Sequence, residues 1–123
     1  MDNTDISQKL QEKVHLSLLF DFYGELLKNH NRQIFEDYIL NDLSLGEIAE
    51  EQGISRQGVY DIVKRCSKQL ADCEEKLGLI HKFKMTRQMA EEIRTLAADL
   101  KKEHREEAID SILTLSQNII DAL

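Results

Sequence analysis

The sequence predicts an all-α protein built around a helix-turn-helix, with a long helix after the motif and one or two C-terminal helices. Three observations predict it. Among 123 residues there is no proline and there are only five glycines, while Leu, Ile, Glu, Lys and Ala are abundant. Apolar residues recur at three- and four-residue intervals in several successive stretches. Residues 44–65, SLGEIAEEQGISRQGVYDIVKR, place helix caps and a turn glycine at the spacing of two short helices meeting at an angle. The length suits one small domain with a real core. We expect residues 1–82 to hold the motif and residues 83–123 to form a helical extension that packs or dimerises.

Taken in order, the first helix is expected from about Ser7 to Lys28, where Leu19, Phe22, Tyr23, Leu26 and Leu27 share a helical spacing, with Val14 and Leu16 nearby. Asn29 to Asn31 breaks the pattern. A second helix is expected from about Arg32 to Leu40, with Ile34, Phe35, Tyr38 and Ile39 at the right intervals. The aromatic cluster Phe20, Phe22, Tyr23, Phe35 and Tyr38 reads as core, because nothing polar or cationic converges on it in the sequence.

The motif itself opens with Ser44 and Glu47, the two ends of a capping box, so a short helix starts at about Leu45. Gly53 stands where the chain must turn, since glycine accepts positive φ without a Cβ penalty. Ser55 caps the second helix. Ile48 and Ala49, Ile54 in the turn, and Val59 and Ile62 are expected to meet in the angle, with small Ala49 allowing a close approach. That leaves Ser55, Arg56, Gln57, Tyr60, Lys64 and Arg65 on or near the outward side, the side that enters a DNA major groove in this motif. Arg and Gln are suited to base edges and Lys and Arg to phosphates.

Beyond the motif, Val59, Ile62, Cys66, Leu70, Cys73, Leu77 and Ile80 keep a three-four spacing that resembles a coiled-coil seam and ends near Gly78. Lys82, Phe83, Lys84, Met85 and Arg87 read as a basic and apolar link. From Thr86, a plausible cap, Met89, Ile93, Leu96, Ala97 and Leu100 form a further stripe that ends in KKEHREE. A last helix from about Glu106 carries Ile109, Ile112, Leu113, Ile119, Ile120 and Leu123 on one side, with Ala108 and Leu115 on another. Such wide apolar faces need cover, either within the chain or in a homodimer through the C-terminal helices.

The residues of the motif resemble the YlxM proteins of Gram-positive bacteria, small helical proteins whose helix-turn-helix is similar to region four of sigma factors. The resemblance rests on SLGEIAEE and SRQGVYDIVKR. It extends to LLFDFYGELL at Leu18 to Leu27, across Gln33 to Asp42, and through Glu74 to Leu77. Two positions depart from the family pattern: Gly58 stands where alanine is usual, and Asn29 or Asn31 where a threonine usually caps the helix before the motif. YlxM-like proteins are encoded next to the GTPase of the signal recognition particle, and the family is inferred to regulate that pathway. The resemblance therefore implies that Arg56, Gln57, Lys64 and Arg65 touch the particle's RNA or an acidic surface of its GTPase. The motif alone suggests instead a transcription regulator that reads duplex DNA. A third reading is a helical interaction module whose C-terminal stripes recruit a partner.

The net charge of −7 looks wrong for a nucleic-acid partner, but it is unevenly spread. Residues 1–51 hold 4 basic and 11 acidic side chains, residues 52–88 hold 8 and 4, and residues 89–123 hold 4 and 8. The net +4 segment coincides with the second motif helix and its continuation toward residue 88. So few phosphate contacts imply weak or partner-assisted DNA binding at physiological salt.

Nothing supports catalysis: there is no nucleophile elbow, no glycine-rich phosphate loop and no paired His and Cys. Cys66 and Cys73 lie about two helical turns apart, too far for an unstrained disulfide, and alternate with Leu70 and Leu77 as buried small hydrophobes. His15, His30, His81 and His104 show no ligand spacing with them, so neither metal nor cofactor is expected. The polar N-terminus MDNTDISQKLQEK reads as neither signal nor transit peptide, and no stretch resembles a membrane span. We expect a cytoplasmic protein without membrane insertion.

Overall fold

Helix α1 (Asn3–Tyr23) gives way to a 3-10 turn over Gly24–Leu26, earlier than the expected end at Lys28, and the reason is tertiary. Gly24 is buried, and a Cβ there would lie 2.8 Å from the ring of Phe20, so the chain passes too close to that ring for a side chain. The tighter turn rotates Leu26 out to 59% exposure and leaves Leu27 extended and buried. The computed structural model describes residues 3–103 and 106–123, with side chains from residues 7 to 102 and from 106 onward. His104 and Arg105 of the expected charged stretch lie outside the described residues.

Helix α2 (Asn29–Ile39) starts at the asparagines expected to interrupt the chain. Its N-cap is Lys28, with no side-chain cap, so neither Asn29 nor Asn31 caps it. Buried Asp37 accepts from the side-chain amides of Gln33 at 3.1 Å and Asn41 at 2.8 Å, and its carbonyl accepts from the amide of Leu43 at 3.0 Å. These bonds fix the loop that leads into the motif. Across the same loop, Asp42 at φ 53° accepts from Lys13 Nζ at 2.7 Å, and that ammonium stands 5.4 Å from the Tyr38 ring centroid.

Helix α3 (Leu45–Gln52) and helix α4 (Arg56–Leu77) complete the motif, and α4 packs against α1, α2 and α3. Leu19, Phe20, Tyr23, Ile34, Phe35, Ile48, Val59, Cys66 and Leu70 are buried there. The aromatic cluster is divided between core and surface: the Phe20 and Phe35 rings lie 5.7 Å apart in the core, while Phe22 and Tyr38 are half-buried. On α4 the buried row is Val59, Val63, Cys66 and Leu70; Ile62 and Cys73 are half-buried, and Leu77 is 52% exposed. A seam suited to one partner helix widens here because three helices share this side of α4. Gly78, in the left-handed region at φ 63°, ends α4.

The chain divides into two compact units, Met1–Gly78 and Leu79–Leu123. In the second, helix α5 (Leu79–Glu103) packs against helix α6 (Glu106–Ala122), and with only two residues between them the pair forms an antiparallel hairpin. The expected link over residues 82–87 is helical, and α5 begins at Leu79 rather than near Thr86, because no proline or glycine interrupts it. On α5, Met89, Ile93, Leu96 and Leu100 are half-buried; on α6, Ala108 is buried and Ile112, Leu115 and Ile119 are half-buried. Ala108 and Leu115 therefore belong to the covered row, whereas Ile109, Leu113 and Ile120 are exposed. Among the described residues every helix is α apart from the one 3-10 turn, there is no strand, and no helix is long and apolar enough to cross a membrane.

Candidate nucleic-acid interface

The motif is assembled by local backbone chemistry. Ser44 Oγ accepts from the Glu47 amide at 3.1 Å and Glu47 Oε1 accepts from the Ser44 amide at 3.2 Å, which satisfies two orphan donors at the start of α3. Gly53 ends α3 at φ 68°, ψ 31°, and the Ile54 amide reaches back to the Ala49 carbonyl at 3.1 Å. Open space surrounds the missing Cβ of Gly53, so the backbone angle and not crowding calls for glycine. Ser55 then caps α4, its Oγ accepting from the Gly58 amide at 2.9 Å. Ile48, Ala49 and Val59 are buried as the motif requires, while Ile54, expected in the angle, is 37% exposed at the tip of the turn.

Ser55, Arg56, Gln57, Tyr60, Lys64 and Arg65 are all exposed, but they are not equivalent. Ser55 is committed to its cap. Arg56 lies across the first turn of α3: a Cβ on Gly46 would sit 3.6 Å from Arg56 Nε. Gln57 donates to Asp61 Oδ1 at 3.0 Å. Gln57, Asp61, Lys64 and Lys68 succeed one another at helical spacing on the side of α4 opposite Val59, Val63, Cys66 and Leu70. Tyr60 is 47% exposed on the flank toward Arg56.

Two sets of side chains on this side of α4 were not among the candidates read from the sequence. Asp61 puts a carboxylate in the middle of the basic face, and its four-residue spacing from Gln57 was the available signal. Lys68 and Lys76 continue the cationic line past Arg65, along a shallow depression of about 380 Å³ lined by these three with Gln69, Asp72 and Cys73. Against this, Glu47, Glu50 and Glu51 are exposed on α3, so within the motif the exposed cationic side chains are those of α4.

Cys66 is buried and Cys73 half-buried, both as free thiols. Burial pushes the Cys66 thiol above its ordinary pKa, with neighbouring Arg65 opposing only in part, so it stays protonated and packs as a small apolar group. Among the described residues no three His, Cys, Asp or Glu side chains gather in a metal-binding arrangement.

Residues 10–112 match the profile of a protein family described as "Putative helix-turn-helix protein, YlxM / p13 like". The YlxM protein of Bacillus subtilis strain 168 is 43% identical over 94 residues, which span 76% of this chain and 86% of that protein. A Clostridium kluyveri relative is 39% identical over 111 residues, 90% of this chain and 100% of its own length. A relative from Caldanaerobacter subterraneus subsp. tengcongensis is 53% identical over 79 residues, 64% of this chain and 68% of that protein. The family description is of a helix-turn-helix protein.

Proposed function

This chain belongs to the YlxM/p13-like family of helix-turn-helix proteins, and from that premise we propose that it is a non-catalytic regulatory protein that binds nucleic acid through the exposed side of α4. One observation carries the reading: the core row of α4 is satisfied inward while Gln57, Lys64 and Lys68 line the opposite side, flanked by Arg56, Tyr60 and Arg65. Arg and Gln present donors to base edges, and Lys and Arg neutralise phosphate. The family resemblance directs this surface to the signal recognition particle, where the particle's RNA, alone or with its GTPase, is the target in the cytoplasm. The spacing of the face, which suits a major groove, favours duplex DNA as the second reading.

Equilibrium binding to the particle RNA, with and without the GTPase and beside a random DNA duplex, separates the two when salt is titrated. Saturable RNA or particle binding that survives physiological salt and is lost in Arg56→Ala/Lys64→Ala supports the pathway role. Preference for duplex DNA under the same conditions overturns it in favour of a transcription regulator.

A further inference from the structure

The 79–123 hairpin carries more apolar surface than two helices hide. Ile109, Leu113 and Ile120 are 44%, 62% and 63% exposed, and their spacing puts them on one face of α6. At about 100° per residue, that face is turned roughly a quarter turn from the row that packs on α5. A shallow cleft lined by Glu92, Leu96, Asp110, Ser111, Thr114 and Leu115 marks one side of the hairpin. By the same helical step, Ile109, Leu113 and Ile120 lie on the other side, beside exposed Ala90 and Ala97 of α5.

The two borders of this apolar face carry opposite charge. Arg87, Arg94 and Lys101, all exposed, recur every seven residues along the α5 edge. Glu106, Asp110 and Asp121 stand on the outer edge of α6, opposite the row that packs on α5 and with Asp110 also lining the cleft, and α6 contains no lysine or arginine. A face that is basic along one edge and acidic along the other is complementary to itself.

We propose that a second copy of this chain covers the face, the two hairpins forming an antiparallel four-helix bundle about a twofold axis parallel to the helices. That axis lays α5 of one protomer on α6 of its partner. With Glu103 and Glu106, the facing helix ends, taken as level and a 1.5 Å rise per residue, Arg87 comes within about 2 Å of the height of the partner's Asp121. Lys101 falls between the partner's Glu106 and the partner's Asp110, about 3 Å from each in height. The same operation sets Ala90 level with the partner's Ile120 and Ala97 level with the partner's Leu113, so large side chains meet small ones. A twofold axis across the helices instead stacks basic edge on basic edge. The exposed pairs already present, Arg87 with Glu91 at 3.5 Å and Gln117 with Asp121 at 2.8 Å, are weak helix-surface contacts that a partner can displace.

Light scattering and sedimentation of the full chain at micromolar concentration test this. The expected result is a dimer that Leu113→Asp weakens by about 100-fold or more while circular dichroism retains the helix signal, because Leu113 is exposed in the single chain. Arg87→Asp and Asp121→Arg each weaken dimerisation about tenfold, and combining the two restores it. A chain that stays monomeric at its highest soluble concentration, a dimer indifferent to Leu113→Asp, or a charge exchange that fails to rescue overturns the proposal.

Discussion

Tyr23, the last residue of α1, donates its hydroxyl hydrogen to Glu74 Oε1 at 2.6 Å, joining residues 51 positions apart near the far end of α4. Tyr23 is only 2% exposed and Glu74 half-buried, so this bond is partly shielded from water. Tyr23→Phe keeps the ring but removes the donor to a carboxylate, and should cost about 1–2 kcal/mol in chemical denaturation. An unchanged midpoint would mean that Glu74 re-pairs with water at no cost.

Gly24 and Gly53 should both resist alanine, for different reasons. At Gly24 the new methyl meets the Phe20 ring at 2.8 Å, an overpacking expected to cost about 1–3 kcal/mol and to be relieved by Phe20→Leu in the same chain. At Gly53 the space is open but φ is 68°, so alanine costs about 1–2 kcal/mol of backbone strain and asparagine costs less. Thermal melts of the three single variants and the Phe20→Leu/Gly24→Ala double variant distinguish crowding from strain.

The Lys13–Asp42 pair makes stability depend on pH in one direction. The Lys13 hydrogen bond and charge hold the Asp42 carboxyl below its ordinary 3.8. A depressed folded value means that the contribution is complete above 3.8 and is lost as pH falls through the lower folded value. The stability difference between the parent and Lys13→Gln should be constant near neutrality and vanish in strong acid. A difference that persists there would assign the effect to the packing of Lys13 on Tyr38.

The features legible in the sequence are those that short-range chemistry decides. Ser44, Glu47, Gly53 and Ser55 act within three or four residues of themselves, so their roles come from spacing alone. The end of α1 is different, because it depends on how closely Gly24 passes a ring that is itself held against Phe35. The early start of α5 is hidden because Thr86 offers a cap that an uninterrupted helix does not need. On the exposed side of α4 the residue types are legible and the i,i+4 spacing of Gln57 and Asp61 permits their contact, but the crossing of Arg56 over Gly46 is a rotamer choice that no pattern of residue types encodes.

Asp61 sets the last prediction, because on the proposed nucleic-acid face a carboxylate among cations would either tune affinity or read a base. If it only tunes, Asp61→Ala frees the Gln57 amide, removes a repulsion toward phosphate, and raises affinity for every sequence about three- to tenfold. Lys64→Ala and Lys68→Ala, by contrast, should each flatten the dependence of log K on log salt by about 0.9 on duplex DNA or about 0.7 on a single strand. The two classes of variant move different observables, the height of the binding curve and its slope. Weaker binding of Asp61→Ala to one sequence alone, with others unchanged, would instead show that the carboxylate accepts from an exocyclic amino group such as cytosine N4.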